Sequence, residues 1–183
     1  IIPAMPRYAA FLRAVNVGGR VVKMERLRPL FEEAGFTGVS THLASGNVLF
    51  TAGRGRASAP EAKVEATLRT ALGWEVATFL RTPAEVSAIV AREPFAAEDV
   101  ATAHGVYVGF LKEPLPAERH ALVDGFRTPT DELAVNGREL WWLCRVRSSD
   151  SEVSGRRLEK ALGLLATFRN VTTVRAVASK LSS

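Results

Sequence analysis

Cysteine, histidine and aspartate are all scarce in this chain of 183 residues. The single cysteine, Cys144, excludes an internal disulfide framework and a zinc site built on several thiolates. The three histidines lie far apart and form no H-E-x-x-H or H-x-H arrangement, so we predict no metal site and no cofactor. No apolar run approaches the roughly 18 residues that a membrane span requires, and residues 1–20 lack the pattern of a secretory signal peptide. These shortages favour a cytosolic protein without a membrane partner.

What the sequence does contain is enough apolar material for a folded core. Hydrophobic residues make up 47% and charged residues 23%, spread over the whole length, which excludes the disordered and low-complexity classes. The length allows one ordinary domain or two small ones. The first four residues precede Met5, and all predicted elements lie after it.

The charge is unevenly distributed. Residues 1–90 carry 11 basic and 7 acidic side chains, a net of +4, whereas residues 91–183 carry 13 and 12, a net of +1. Most of the cations are arginines, which suit bidentate binding of phosphate or carboxylate. A net charge of +5 is also ordinary for a soluble domain of this size. The charge alone leaves a nucleic acid, a small anion and no anionic partner all open.

The first half reads strand, helix, hairpin, helix, strand. The predicted segments are a strand at 8–15 that enters a glycine loop, a helix at 24–34, hairpin strands at 39–44 and 48–51, a helix at 62–72, a strand at 74–81 and a short helix at 83–90. Pro29 favours a regular helix that begins closer to Arg26 than to Lys23. Residues 53–60 are small, basic and turn-rich and predict a mobile loop.

The second half repeats this order after a turn-rich stretch at 93–103. The predicted segments are a strand at 106–112, a helix at 116–123, hairpin strands at 132–135 and 139–145 across Asn136-Gly137, a helix at 154–162, a strand at 164–168 and a terminal helix at 171–181. We therefore predict an α+β fold of two ferredoxin-like (β-α-β-β-α-β) halves, at 5–95 and 104–183, with a C-terminal helix. One continuous mixed sheet is the alternative.

The loop between the first strand and the first helix is the leading candidate for binding. It holds Arg13, Asn16, Gly18, Gly19 and Lys23 at a place where backbone N–H groups and a helix N-terminus can hold an anion. Its spacing matches neither G-x-G-x-x-G nor G-x-x-x-x-G-K-[ST], so neither a dinucleotide site nor a P-loop is supported. A plain turn explains the two glycines equally well.

Two further polar motifs lie at predicted turns or strand ends. Ser45-Gly46-Asn47 forms the tip of the first hairpin and is by itself most simply an ordinary turn. Asn170 is favoured as the N-cap of the terminal helix. Arg169, between an apolar strand and a helix start, must find either solvent or an anion.

Nucleophile and general-base candidates are few. His42 precedes Ser45 by three residues, but no orienting carboxylate accompanies a Ser-His relay, and each histidine is best explained structurally. Cys144 is expected to be a buried small hydrophobe in an apolar strand. Trp141 and Trp142 point to opposite faces of that strand, so at least one is expected to be partly exposed.

Taken together, the motifs resemble the bacterial family called domain of unknown function 1697. The resemblance rests on F-L-R-A-V-N-V-G-G from Phe11, K-M-x-x-L from Lys23, the S-G-N-V-x-F hairpin from Ser45 and T-x-R-N-x-x-T-V from Thr167. This chain departs from the family motif at Ala14, where glycine is usual, and at Val171, where tryptophan is usual. The resemblance implies a two-part α+β fold with ferredoxin-like halves and a cytosolic bacterial setting, and it implies no known reaction.

Read together, the three motifs predict one site between the halves for a small anionic ligand, a nucleotide or a phosphorylated metabolite. Its residues are Arg13, Asn16, Gly18, Gly19, Lys23, Ser45, Asn47, Arg169 and Asn170.

Two other functions stay open at the sequence level. An RNA or single-stranded nucleic-acid binding module needs aromatic side chains exposed on a sheet face beside arginines. A phosphoryl or nucleotidyl transfer enzyme would use Lys23 and Arg169 as charge clamps, although no acidic pair for a metal is evident. The sequence does not predict an oligomeric state.

Overall fold

Two four-stranded antiparallel sheets with associated helices make up the protein in a computed structural model, which describes residues 5–53 and 60–183. The elements of the first half are β1 (Arg7–Leu12), α1 (Met24–Glu33), β2 (Thr37–His42), β3 (Asn47–Thr51), α2 (Pro60–Leu72), β4 (Thr78–Arg81) and α3 (Pro83–Val90). Those that follow are α4 (Ala97–Thr102), β5 (Gly105–Phe110), a 3-10 turn (Ala117–Arg119), α5 (His120–Asp124), β6 (Asp131–Asn136), β7 (Glu139–Cys144), α6 (Gly155–Leu162), β8 (Thr167–Asn170) and α7 (Val171–Ser182).

The two sheets have the same topology. Their strand orders are β2-β3-β1-β4 and β6-β7-β5-β8, and every neighbouring pair is antiparallel. This confirms the predicted duplication of a β-α-β-β-α-β plan. The chain divides into a first unit, Ile1–Ile89 with Ala176–Ser183, and a second unit, Val90–Arg175. None of the helices within the described residues is both long and apolar enough to cross a membrane.

The first unit packs α1 and α2 on one face of its sheet through residues at helical spacing. Leu27, Leu30 and Phe31 form the buried side of α1 and pack with β3. The Phe50 ring lies 4.5 Å from that of Phe36 and 5.3 Å from that of Phe31, centroid to centroid. Aromatic pairs of this kind contribute about 0.5–1.5 kcal/mol each beyond the area they bury. These contacts fix the position of α1 and therefore of the loop that leads into it.

The second unit has an equivalent core around Trp142. Its ring lies 5.0 Å from that of Tyr107 and 6.4 Å from that of Phe168. Cys144 is buried in the same core, as the sequence predicted. Trp141 points to the other face, yet it is only 1% exposed and Trp142 only 4%. The expectation that one of the two is partly exposed is therefore wrong.

Several predicted boundaries differ from the structure. Pro29 lies inside α1, which begins at Met24, because burial of its apolar side outweighs the lost backbone hydrogen bond. The strands β4 and β8 are shorter than predicted and begin at Thr78 and Thr167. The stretch 93–103, read as turns, contains α4. The mobile loop predicted at 53–60 falls mainly on residues 54–59, outside the described residues, and Pro60 already begins α2.

Candidate functional site

The loop between β1 and α1, residues 13–23, is held closed by one side chain and is called the glycine loop below. The Asn16 Oδ1 atom accepts a hydrogen bond from the Val22 N–H at 2.7 Å, and its Nδ2 atom donates to the Val22 carbonyl at 3.2 Å. The Arg13 N–H donates to the Ala77 carbonyl at 2.9 Å and ties the start of the loop to the segment before β4. Asn16 thus uses its amide to shape the loop, and its direct contact with a ligand stays a prediction.

Gly18 and Gly19 form the exposed tip of this loop. Their φ angles are +61° and +82°, a region that suits glycine, and nothing lies within 4 Å of where a Cβ would stand. Neither glycine N–H has a hydrogen-bond partner among the described residues. The tip therefore offers two backbone donors at the surface, with room for a ligand atom beside them.

The charges in the glycine loop are all positive. Lys23 is exposed, and Arg20 is exposed with its guanidinium carbon 5.3 Å from the centre of the Trp74 ring. A cation over an aromatic face at this distance is held in place by the ring quadrupole. Arg20 was not among the predicted site residues, although its position in the loop could have indicated it. The structure adds it as a positive charge in the same loop as the open glycines.

The hairpin turn at 43–47, called the serine turn below, adjoins the glycine loop. The Asn16 Nδ2 atom donates to the Ala44 carbonyl at 2.6 Å and connects the two segments. Within the turn, the Asn47 Nδ2 atom donates to the His42 carbonyl at 2.6 Å and to the Ser45 Oγ atom at 3.1 Å. Asn47 is only 1% exposed, so it stabilises the turn from inside, while Ser45 is exposed at its surface. The structure thus brings two of the three predicted motifs together within the first unit.

The third motif lies in the second unit, at the junction of β8 and α7. The Asn170 Oδ1 atom accepts a hydrogen bond from the Thr172 N–H at 2.9 Å, which confirms the favoured N-cap interpretation. Arg169 is 6% exposed, and its Nη1 atom donates to the Thr167 Oγ1 atom at 2.8 Å and to the Phe168 carbonyl at 2.9 Å. Burial lowers the pKa of Arg169 to about 10. Both side chains therefore have structural contacts within their own unit.

Ala14 has a φ of +58°, in the left-handed region, at the position where the family motif usually has glycine. We expect Ala14→Gly to raise the free energy of unfolding by about 0.5 kcal/mol, because the left-handed conformation costs alanine about 1–2 kcal/mol and the flexibility of unfolded glycine offsets about 0.4–1 kcal/mol. Urea denaturation measures the change. The control Ala66→Gly, at an exposed position within α2, should lower the free energy of unfolding by about 1 kcal/mol. An equal loss at both positions would contradict the assignment of strain to Ala14.

His42 is the titratable residue immediately before the serine turn. Burial, with the positive charge of Lys180, lowers the pKa of His42. A histidine with a lowered pKa is largely neutral at pH 7 and adds no charge beside the serine turn. Within residues 5–53 and 60–183, no three His, Cys, Asp or Glu side chains are placed to hold a metal ion.

The aromatic side chains of the described strands are not laid out for base stacking. Phe11, Phe50, Phe79, Phe110 and Trp141 are each at most 1% exposed. Tyr8, Tyr107 and Phe168 are partly buried and pack against the two cores. A sheet that binds single-stranded nucleic acid presents such rings to solvent. The geometry of these strands therefore favours the small-anion hypothesis over the nucleic-acid one.

The chain was compared with known protein families, curated proteins and solved structures. Residues 5–141 match the family described as “Protein of unknown function (DUF1697)”. No curated protein matches. The chain is similar to a solved structure described as that of the conserved bacterial protein SP0830 from Streptococcus pneumoniae, with a TM-score of 0.78 and 23% identity over 98% of this chain and 100% of that one. This likeness shows a shared fold.

Proposed function

The chain belongs to the DUF1697 family, and from that starting point we propose that it binds a small anionic ligand, a nucleotide or a phosphorylated metabolite, at its glycine loop. One observation carries the proposal: the amide of Asn16 fixes the loop while the N–H groups of Gly18 and Gly19 stay open at its tip. A preorganised loop binds more tightly because less conformational freedom is lost on binding.

The charge around the loop supports an anion as the ligand. Arg20 and Lys23 are exposed cations, and the sequence contains no acidic residue before Glu25 or between residues 34 and 60. A phosphate group beside the glycine tip would accept hydrogen bonds from the backbone and pair with these side chains. The Ser45 hydroxyl on the adjoining turn is a further polar contact for the rest of the ligand. The cytosolic location predicted from the sequence stays a prediction.

We expect a nucleotide or phosphorylated metabolite to raise the melting temperature by about 5–10 °C at a concentration near 100 times its Kd. A thermal-shift screen of such compounds, followed by isothermal titration calorimetry, measures this. Lys23→Ala should weaken binding about tenfold, since it removes one charge-assisted contact. Lys160→Ala, at an exposed lysine of the second unit, is the matched control and should bind as the unmodified chain does.

Two results would contradict the proposal. One is the failure of every phosphorylated compound to bind at millimolar concentration. The other is a ligand whose affinity is the same in Lys23→Ala and in the control. Tight, steeply salt-dependent binding of oligonucleotides, with no binding of mononucleotides, would assign the loop to nucleic acid instead.

A further inference from the structure

A cavity of about 180 Å³ lies in the second unit, away from the glycine loop in sequence. Its walls are mostly apolar and include Phe95, Val100, Val106, Trp141 and Val171. A dry cavity of about 150 Å³ accommodates a benzene ring, so this one has room for a single ring or a branched alkyl group. The site was missed at the sequence level because the stretch 93–103, which supplies much of its wall, reads as a turn-rich boundary.

Three charged side chains line the same cavity. Arg92 and Arg175 contribute two positive charges and Glu93 one negative charge. The Arg92 Nη2 atom donates to the Asn136 Oδ1 atom at 2.5 Å, which fixes that guanidinium, whereas the Arg175 side chain has no hydrogen bond or ion pair with any described residue. The net charge of +1 suits a monoanion.

Two structural details add to the polarity of this site. The α7 helix begins at Val171, so its partially positive end lies at the cavity wall. The indole N–H of Trp141 is buried and has no hydrogen-bond partner among the residues that the structure describes.

The wall formed by α4 is anchored rather than loosely packed. The Arg145 Nη2 atom donates to the Asp99 Oδ1 atom of α4 at 2.6 Å and also binds Glu132 of β6. The two carboxylates raise the pKa of Arg145, so its charge is permanent. This bridge connects α4, which also carries Val100, to the second sheet.

We propose that this cavity binds a small monocarboxylate whose body is one aromatic ring or a branched alkyl group. The carboxylate pairs with the guanidinium of Arg175 at the rim. The apolar body fills the space between Trp141 and Phe95. The site is independent of the glycine loop, and neither proposal rests on the other.

Benzoate is the probe, and its neutral isostere benzamide is the comparison. The full chain, labelled with ¹⁵N, gives one indole N–H resonance for each of its three tryptophans, and Trp141→Phe identifies the one that belongs to Trp141. We expect benzoate to shift this resonance saturably and benzamide to bind about tenfold more weakly, because benzamide has no negative charge to form an ion pair with the Arg175 guanidinium. Inorganic phosphate should not compete with benzoate.

Three variants separate the contributions. Arg175→Gln should weaken benzoate about tenfold and leave benzamide unchanged. Arg156→Gln, at an exposed arginine of α6, is the matched control and should leave both affinities unchanged. Val171→Trp should abolish binding of both compounds by filling the cavity. The dispersion of the amide spectrum verifies that this variant folds.

The proposal is overturned if the Trp141 resonance does not move at about 20 mM benzoate, well above the millimolar Kd expected of a ligand this small. Equal affinity for benzoate and benzamide, displacement of benzoate by phosphate, or unchanged binding in Val171→Trp would also overturn it. Lys23→Ala should not change benzoate binding, so the failure of one proposed site is distinguishable from failure of the other.

Discussion

Replacing Asp131 by alanine is expected to lower the free energy of unfolding by about 4 kcal/mol, because it leaves the buried indole N–H of Trp142 and three partly buried hydroxyls without their shared acceptor. Asp131 is fully buried at the start of β6. Its Oδ1 atom accepts hydrogen bonds from the Trp142 Nε1 atom at 2.8 Å and the Ser151 Oγ atom at 2.7 Å. Its Oδ2 atom accepts from the hydroxyls of Thr128 and Thr130, both at 2.8 Å. One carboxylate thus holds together β6, β7 and two loops of the second unit.

Urea denaturation followed by fluorescence and circular dichroism measures this effect. Asp150→Ala is the matched control, since Asp150 is an exposed aspartate of the same unit, and its replacement should change the free energy of unfolding by less than about 0.5 kcal/mol. Asp131→Asn keeps the shape but offers one acceptor oxygen instead of two, so its loss should be intermediate, about 2 kcal/mol. A loss below 1 kcal/mol for Asp131→Ala would show that the network does not stabilise the unit.

The same network makes the stability depend on pH. Burial alone would raise the pKa of Asp131, but the hydrogen bonds from Ser151, Trp142, Thr130 and Thr128 together lower it below its ordinary value of 3.8. The unfolded chain then binds a proton more readily than the folded one, so the stabilisation is complete above pH 3.8 and decreases as the pH falls through the lowered pKa. The difference in stability between the unmodified chain and Asp131→Asn should therefore shrink below about pH 4. A constant difference down to pH 2 would contradict this account.

The sequence predicted the fold because the segments that define it are locally marked. Asn136-Gly137 predicted the second hairpin, and β6 and β7 flank it. The spacing of Leu27, Leu30 and Phe31 predicted α1 in spite of Pro29. The glycine loop and the serine turn were also locally recognisable, because positions with a positive φ angle are often occupied by glycine and both segments contain glycine.

Features that depend on packing were not predictable in this way. Asp131 carries no local signal, because its four donors come from residues up to 20 positions away in the chain. The stretch before β5 was read as turns since α4 is short, has no buried residue and has a first turn dominated by acids. Trp74 suggested an early start for β4, but the strand begins at Thr78 and Trp74 lies in the loop between α2 and β4. Its ring packs against the core and contacts the guanidinium of Arg20. For Asp131 and Trp74, contacts between residues distant in the sequence decide the structure.

Among the predicted site residues, the structure separates those that shape the site from those that contact solvent. Asn16 and Asn47 use their amides within the chain, and Asn170 caps a helix. Such roles explain why asparagines recur in these motifs: a side-chain amide both donates and accepts, and so replaces missing backbone hydrogen bonds in an irregular loop. We therefore propose the backbone N–H groups at the glycine tip and the exposed cations as the groups that contact the ligand.

A single methyl group at Gly46 should destabilise the first unit about as much as many core truncations. Gly46 has a φ of +83°, and a Cβ atom there would stand 2.6 Å from the Val15 Cγ2 atom and 3.2 Å from the Leu12 Cβ atom. The Gly46 carbonyl also accepts a hydrogen bond from the Leu12 N–H at 2.9 Å, which holds the turn against β1. The turn therefore has no room to move away, and we expect Gly46→Ala to lower the free energy of unfolding by about 3 kcal/mol.

Gly18→Ala is the matched control, because Gly18 shares the positive φ but has open space around it. It should lower the free energy of unfolding by only about 1 kcal/mol, the cost of the left-handed conformation. The double variant Gly46→Ala with Val15→Ala removes the methyl group that the new Cβ would meet. Urea denaturation of the unmodified chain, the two single variants and the double variant should then give a favourable coupling energy between positions 46 and 15 of at least about 1 kcal/mol.

The two glycines should also differ in their effect on ligand binding. Gly46→Ala displaces Val15 in the glycine loop, and we expect it to weaken binding because it distorts that loop. Adding Val15→Ala relieves the distortion and should restore part of the affinity. Gly18→Ala leaves the loop folded but places a methyl group at the tip, where the proposed anion accepts its hydrogen bonds, and no second change restores the affinity. Calorimetric titration of both variants with the compound found in the thermal-shift screen measures this difference. If Gly18→Ala binds this compound with the affinity of the unmodified chain, the glycine tip serves only as a turn and does not contact the ligand.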